Sequence, residues 1–153
     1  GDTAACLADA YVGHPERDLH NEVLDTARAE AYLRRVEKGE YGLVHPGYLR
    51  AAYVNGQCAG MAAGCETPPG LGFVLHVAVA RAFQGRGIGQ ALLVELARVF
   101  RADGLKYVGL GVSLNNPALR LYERLGFQRL CAINTYIWRE APAAADERGR
   151  SWH

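Results

Sequence analysis

Gly85, Gly87 and Gly89 alternate in the run Gln84-Gly-Arg86-Gly-Ile88-Gly-Gln90, between an apolar stretch and an amphipathic one. Alternating glycines let the chain turn tightly and bring main-chain N–H groups close to a ligand. A helix starting there adds its own unpaired N–H groups and the positive end of its dipole. Phosphate is the natural guest of such a place. The lysine-type phosphate loop is excluded, because no Gly-Lys-Ser/Thr triplet occurs. The dinucleotide fingerprint is excluded by its glycine spacing. A kinase-type loop would need far more chain.

A second group of chemistry-bearing residues follows in Asn115-Asn-Pro-Ala118-Leu-Arg-Leu-Tyr122-Glu-Arg-Leu-Gly126-Phe127. An asparagine amide both donates and accepts hydrogen bonds. A phenol of pKa ~10 can give a proton or a hydrogen bond to a leaving group. On spacing alone Tyr122 reads as a core aromatic beside Leu121 and Leu125. Asn116, with Pro117 after it, is the better helix cap, which leaves Asn115 freer for a ligand.

These residues need elements to hold them. Helical stretches are expected over 3–13, capped by Thr3 and ended by Gly13, and over 22–38, with Val23, Ala27, Ala31 and Val36 inward and Gly39 at the end. Strands 48–54 and 57–64 flank Asn55-Gly56, a strong hairpin signal. Thr67-Pro-Pro-Gly70 breaks the chain. Residues 73–80 form an apolar strand of the kind covered on both faces. After the glycine loop Ile88, Leu92, Leu96 and Val99, widened by Leu93 and Phe100, make a helical stripe that ends at Asp103-Gly104. A strand over 107–112, a helix from Pro117 to Leu125 and two strands over 127–132 and 134–139 complete the order. Residues 141–153 have no periodicity and read as a tail outside a single domain of residues 1–140.

Composition narrows the classes. The chain of 153 residues is half apolar and carries a net charge of +1, which argues against a nucleic-acid binder. No run suits a membrane span, and no leader pattern opens the chain. The four cysteines are scattered without a C-x-x-C pair, so no metal or redox motif is expected, and reduced thiols point to the cytoplasm.

The two motifs together, in this order, resemble the GNAT superfamily of acetyl-coenzyme A-dependent N-acetyltransferases. Gln84 to Gly89 is similar to its Q/R-x-x-G-x-G/A loop, and Asn115 to Phe127 to its N-x-x-A-x-x-x-Y-x-x-x-G-F segment. The resemblance implies an α/β (α+β) fold, a central mixed twisted sheet flanked by about four helices, with the family's first edge strand missing from this chain. It implies acetyl-CoA as co-substrate, with no metal. The pantetheine arm would lie on main-chain groups of Val77, Ala78 and Val79. The pyrophosphate would lie on Gln84, Gly85, Arg86, Gly87, Ile88, Gly89 and Gln90, and Asn115 and Tyr122 would touch the arm and the sulfur.

The resemblance implies an amine acceptor, with a homodimer through the last hairpin left open. Some members use a glutamate base on the strand before the loop, where this chain has Phe73. Glu66, leaning over the site from a strand end, is the preferred substitute. His76, a water chain and an acceptor that arrives neutral stay open. The loop with His14, Glu16, Arg17, Asp18 and His20 is expected to read the acceptor, and Glu16, Asp18, Glu22 and Asp25 to attract a cationic amine. A coenzyme A-binding sensor without activity, or an interaction domain on the same fold, is the alternative reading.

Overall fold

The structure, a computed structural model, describes residues 1–132 except Pro69. Its order is α1 (Asp2–Ala10), α2 (Thr26–Glu37), β1 (Leu49–Val54), β2 (Gln57–Thr67), β3 (Leu71–Val79), α3 (Ile88–Ala102), β4 (Tyr107–Leu110) and α4 (Leu119–Arg124). The four strands form one mixed sheet in sequence order. β1, β2 and β3 are antiparallel neighbours, and β4 runs parallel to β3. The β1–β2 turn puts both Asn55 and Gly56 at positive φ, as a tight hairpin requires.

α1 and α2 cover one face of the sheet with a cluster that includes Leu7, Val23, Tyr32, Val36 and Met61. α3 covers the other through Leu92, Leu93, Leu96 and Phe100, and Tyr122, Leu125 and Phe127 pack against that side. The Phe100 ring occupies the space where a Cβ on Gly64 or Gly72 would stand, at 2.5 and 2.4 Å. Those two strand glycines therefore let α3 sit close to the sheet.

Several expected boundaries move, each for a local reason. α1 starts at Asp2 rather than Thr3 and ends at Ala10. The second helical stretch is split into a short 3-10 turn (Asn21–Val23) and α2, because Asp25 caps α2 by accepting the Arg28 N–H at 2.8 Å. Its inward stripe is Ala29, Tyr32 and Val36, while Ala27 and Ala31 face solvent. The large Tyr32 ring sets the helix phase, and the small alanines yield. β2 runs on to Thr67 because β3 pairs with it from Gly64 to Thr67, with a single bridge from Glu66 to Leu43 on its other edge.

α4 begins at Leu119 rather than Pro117. Asn116 caps the turn before it, its Oδ1 accepting the Ala118 N–H at 2.9 Å. Residues 127–132 are not a strand: they have no ladder partner among the described residues, and Leu130 is 95% exposed. A lone strand leaves its backbone groups unpaired. The expected strand over 134–139 and the tail over 141–153 lie outside the described residues. No helix among the described residues is long and apolar enough to cross a membrane.

Candidate active site

The sheet opens where the glycine loop leaves it. β3 and β4 pair from Leu71–Tyr107 to Val74–Leu110 and then part. At the same point β3 carries one extra residue, since Ala63 opposes His76 and Gly64 opposes Val74. This bulge at Leu75 breaks the alternation. Val74 and Val77 pack toward α3, whereas Leu75 and Ala78 pack toward α1 and α2. Bulges bend and twist a strand. Beyond it, His76 to Val79 are held by β2 on one edge and face a cleft on the other. The cleft measures about 260 Å³ and runs from Tyr11, Glu16 and His20 at one end to Gln84 and Gly89 at the other, with Tyr122 on its wall. A larger, shallower hollow of about 430 Å³ is lined only by Leu114 to Arg120. It belongs to one loop and the start of α4 and gathers no candidate acid or base, so the strand cleft is the candidate site.

At the glycine-loop end, Gly85 and Gly87 take φ of +74° and +78°. Gly87 caps α3 without any side-chain hydrogen bond. The first main-chain bond back into the loop is Ala91 N–H to Gly87 O, at 3.0 Å. The N–H groups of Ile88, Gly89 and Gln90 thus stay unpaired within the helix, as an anion site needs. Gly89 packs flat on β3, where a Cβ would lie 3.4 Å from Val79 Cγ2. The Gln84 side chain donates to the Val79 carbonyl at 3.1 Å, bracing the root of the loop. The Arg86 guanidinium rests over the Phe83 ring and donates to the Ala82 carbonyl.

Asp9 ties the loop to α1. Its carboxylate accepts the Arg81 N–H at 2.7 Å and Arg81 Nε at 3.0 Å. The Arg81 main-chain bond in particular holds the Asp9 carboxyl below its ordinary pKa. A depressed carboxyl contributes stability above its unfolded pKa of ~3.9 and loses it as pH falls through the folded value. Asp9→Asn should therefore cost about 0.5–1 kcal/mol at pH 7, as for a solvent-facing pair, and less at pH 2. Urea unfolding at the two pH values measures this; an equal loss at both would remove the charge from the account.

The other end of the cleft is titratable. Tyr11 and His76 share a hydrogen bond of 3.0 Å, and His76 is buried. Burial pushes the His76 pKa down to about 4 and the Tyr11 hydroxyl above its ordinary range. Glu16 is 7% exposed and accepts the Ser113 N–H at 2.6 Å, a clamp between segments 97 residues apart. Burial opposes ionisation of Glu16, but the bonds from Ser113 and Asn116 outweigh it and hold the carboxyl below its ordinary value.

A model of the acetyltransferase (GNAT) family matches residues 15–127. The chain belongs to the GNAT family. It is 33% identical over 135 residues to a mycothiol acetyltransferase of Acidothermus cellulolyticus, covering 81% of this chain and 40% of that protein. It is 43% identical over 65 residues to the N-alpha-acetyltransferase RimI of Mycobacterium tuberculosis, covering 42% of this chain and 40% of that one. The chain thus spans about two fifths of the length of these two relatives. The fold is similar to that of PH1933 from Pyrococcus horikoshii, with a TM-score of 0.66 at 22% identity over 87% of this chain and 85% of that one.

Set on this GNAT frame, the expected residues divide. Val77, Ala78, Val79, Gln84, Gly89 and Tyr122 line one cleft. Asn115 does not: it is exposed and lines the neighbouring hollow, and Asn116 reaches the cleft instead. Glu66 is not among the cleft residues either. It opposes Gly72 at the start of β3, away from the glycine loop, and its carboxylate meets His45 Nε2 at 3.0 Å. β2 runs antiparallel to β3, so its end is carried away from the loop. His76 does reach the cleft, as do His14, Glu16 and His20 of the expected acceptor loop. Asp25 is spent on the α2 cap. Tyr11 is the residue sequence reasoning missed. A buried histidine implies a hydrogen-bond partner, but nothing in the sequence says which.

Proposed function

We propose that this chain transfers an acetyl group from acetyl-CoA to a primary amine of a small molecule or peptide, by direct attack in a ternary complex. The observation that carries this reading is the split between β3 and β4, which opens onto the start of α3, where no side chain caps the helix, and holds Tyr122 on its wall. The loop amides and the α3 N-terminus receive the pyrophosphate. The free edge of β3 takes the peptide-like pantetheine as a further strand would be taken. The thioester then lies beside Tyr122. The amine enters from the end bearing Glu16 and His20, where carboxylate charge favours a cation.

Its nitrogen lone pair attacks the thioester carbon, the C–S bond breaks, and the thiolate is met by the Tyr122 hydroxyl. Burial, with the nearby charge of Glu16, raises the Tyr122 pKa, so the group remains a donor through the neutral range. Holding both reactants in one cleft supplies much of the rate. Glu66 is paired with His45 and Glu16 with Ser113, and burial holds the His76 pKa down at about 4, too low to take a proton from an ammonium, so the ammonium proton passes to water.

A screen of primary amines tests this, including polyamines, amino sugars and peptides with a free α-amine, read by release of coenzyme A thiol. Acetylation of at least one amine is expected, and Glu66→Gln should keep its full rate and pH profile with it. Tight coenzyme A binding without turnover on any amine would favour a non-catalytic module.

A further inference from the structure

His20, Glu22 and His76 can each bring one donor atom within 4.8 Å of the other two. His20 Nδ1 lies 3.0 Å from Glu22 Oε1. The rings of His20 and His76 stand 5.3 Å apart, edge to face. The second nitrogen of each ring has its own outer partner. His76 Nδ1 is bonded to the Tyr11 hydroxyl, and His20 Nε2 faces Glu16 Oε2 at 3.9 Å. Hydroxyl and carboxylate partners of this kind fix the orientation of ligating imidazoles in metal centres. The acetyl-transfer chemistry uses none of the three inner donors as a bond-making group.

We propose that His20, Glu22 and His76 bind a divalent transition-metal cation of the Zn²⁺ class at the acceptor end of the cleft. Two imidazoles and one carboxylate suit Zn²⁺ and Co²⁺, whereas Mg²⁺ and Ca²⁺ prefer oxygen alone. The cation takes the place of the proton shared by His20 and Glu22. Bonds of ~2.0–2.1 Å bring tetrahedral donors to ~3.4 Å from one another, so the cluster must contract. The freedom for this is on one side. His20 and Glu22 belong to the short turn at Asn21–Val23 and its cap and are about one-third exposed, while His76 is fixed on β3 beside the bulge. The remaining coordination positions face the cleft. A cation there offsets the Glu22 charge and occupies space an amine would enter, while the glycine loop is left open to coenzyme A.

Co²⁺ is the probe, because its visible absorption reports coordination number without any acceptor. The full chain, freed of metal by chelation, should bind about one equivalent of Co²⁺ with the intense band of four- or five-coordination. Stoichiometric Zn²⁺ should bleach that band. His20→Gln should remove it, and Glu22→Gln should weaken Co²⁺ binding about 10- to 100-fold. Both are surface-side changes expected to fold, as thermal melting checks, so the test does not depend on buried His76. His45→Gln, at the distant His45–Glu66 pair, should bind as wild type does. Coenzyme A affinity by calorimetry should not change with Zn²⁺. Only the weak band of six-coordinate Co²⁺, or a strong band that survives both His20→Gln and Glu22→Gln, would overturn the site. Neither result bears on whether the chain transfers acetyl groups, which the amine screen decides separately.

Discussion

Gly87→Asp should lower coenzyme A affinity by at least about 100-fold and leave a folded protein. Gly87 sits at φ +78° as the cap of α3, and a Cβ there would meet nothing within 4 Å. The substitution therefore brings no clash, only the cost of a left-handed conformation for a non-glycine residue. That cost is about 1–2 kcal/mol, and Asp is among the residues that tolerate the region best. The effect on binding is of another size. The carboxylate stands where the loop amides gather an anion, so it meets the pyrophosphate as a like charge. Two unit charges 4 Å apart repel by about 4 kcal/mol at a surface-like dielectric, and partial solvent exposure reduces this toward about 3 kcal/mol, or ~100-fold. Calorimetric titration with coenzyme A beside a thermal melt separates the two effects. Undiminished binding by a folded Gly87→Asp variant would remove the phosphate role of the loop, and with it the central claim about the cofactor.

How far the sequence leads depends on the range of the interactions. The glycine loop, the Asn55-Gly56 hairpin and the α3 stripe were readable because each is set within a few residues. Asn116 was expected to cap the helix itself, whereas its side chain closes the turn before it and Ala118 takes the cap position. Glu66 was misplaced because its position depends on the register between β2 and β3. The strand end that was expected to lean over the site belongs instead to the opposite end of β3. Asn115 lines the neighbouring hollow while Asn116 reaches the cleft, because in a loop no periodicity decides which side chain faces it.

The bulge at Leu75 was invisible, since an extra residue in a strand leaves no mark in an apolar run. It nonetheless coincides with the opening of the cleft, because the strand bends there and β4 leaves it. The Glu16–Ser113 clamp was also out of reach. Glu16 was assigned to the acceptor loop, but its partner is distant in sequence and is a main-chain N–H, which any residue type could have supplied. Contacts of that kind are decided by the fold as a whole.

Tyr122→Phe should lower kcat about 10- to 1000-fold with the best amine and leave coenzyme A affinity within about twofold of wild type. Phe keeps the ring, and with it the edge contact to Phe127 at 6.0 Å and the packing against the α3-side cluster. Stability should therefore change little, and what is lost is one hydroxyl facing the cleft. General acid assistance is typically worth ~10²–10⁴, and the effect is smaller in this case because a coenzyme thiolate is already a good leaving group. An equal fall in kcat and kcat/KM would mark an interaction made in the transition state alone. The pH profile gives an independent check. Burial first, and the charge of Glu16 second, raise the Tyr122 pKa above its ordinary value. The protonated form that donates thus persists through neutral pH, and loss of this group should impose no fall in wild-type rate below pH ~10. The residual activity of Tyr122→Phe should then follow the same profile as wild type at a lower level. An unchanged kcat, under conditions where acetyl transfer itself limits turnover, would return Tyr122 to the role of a packed aromatic and leave the thiolate to be stabilised by main-chain groups of the cleft.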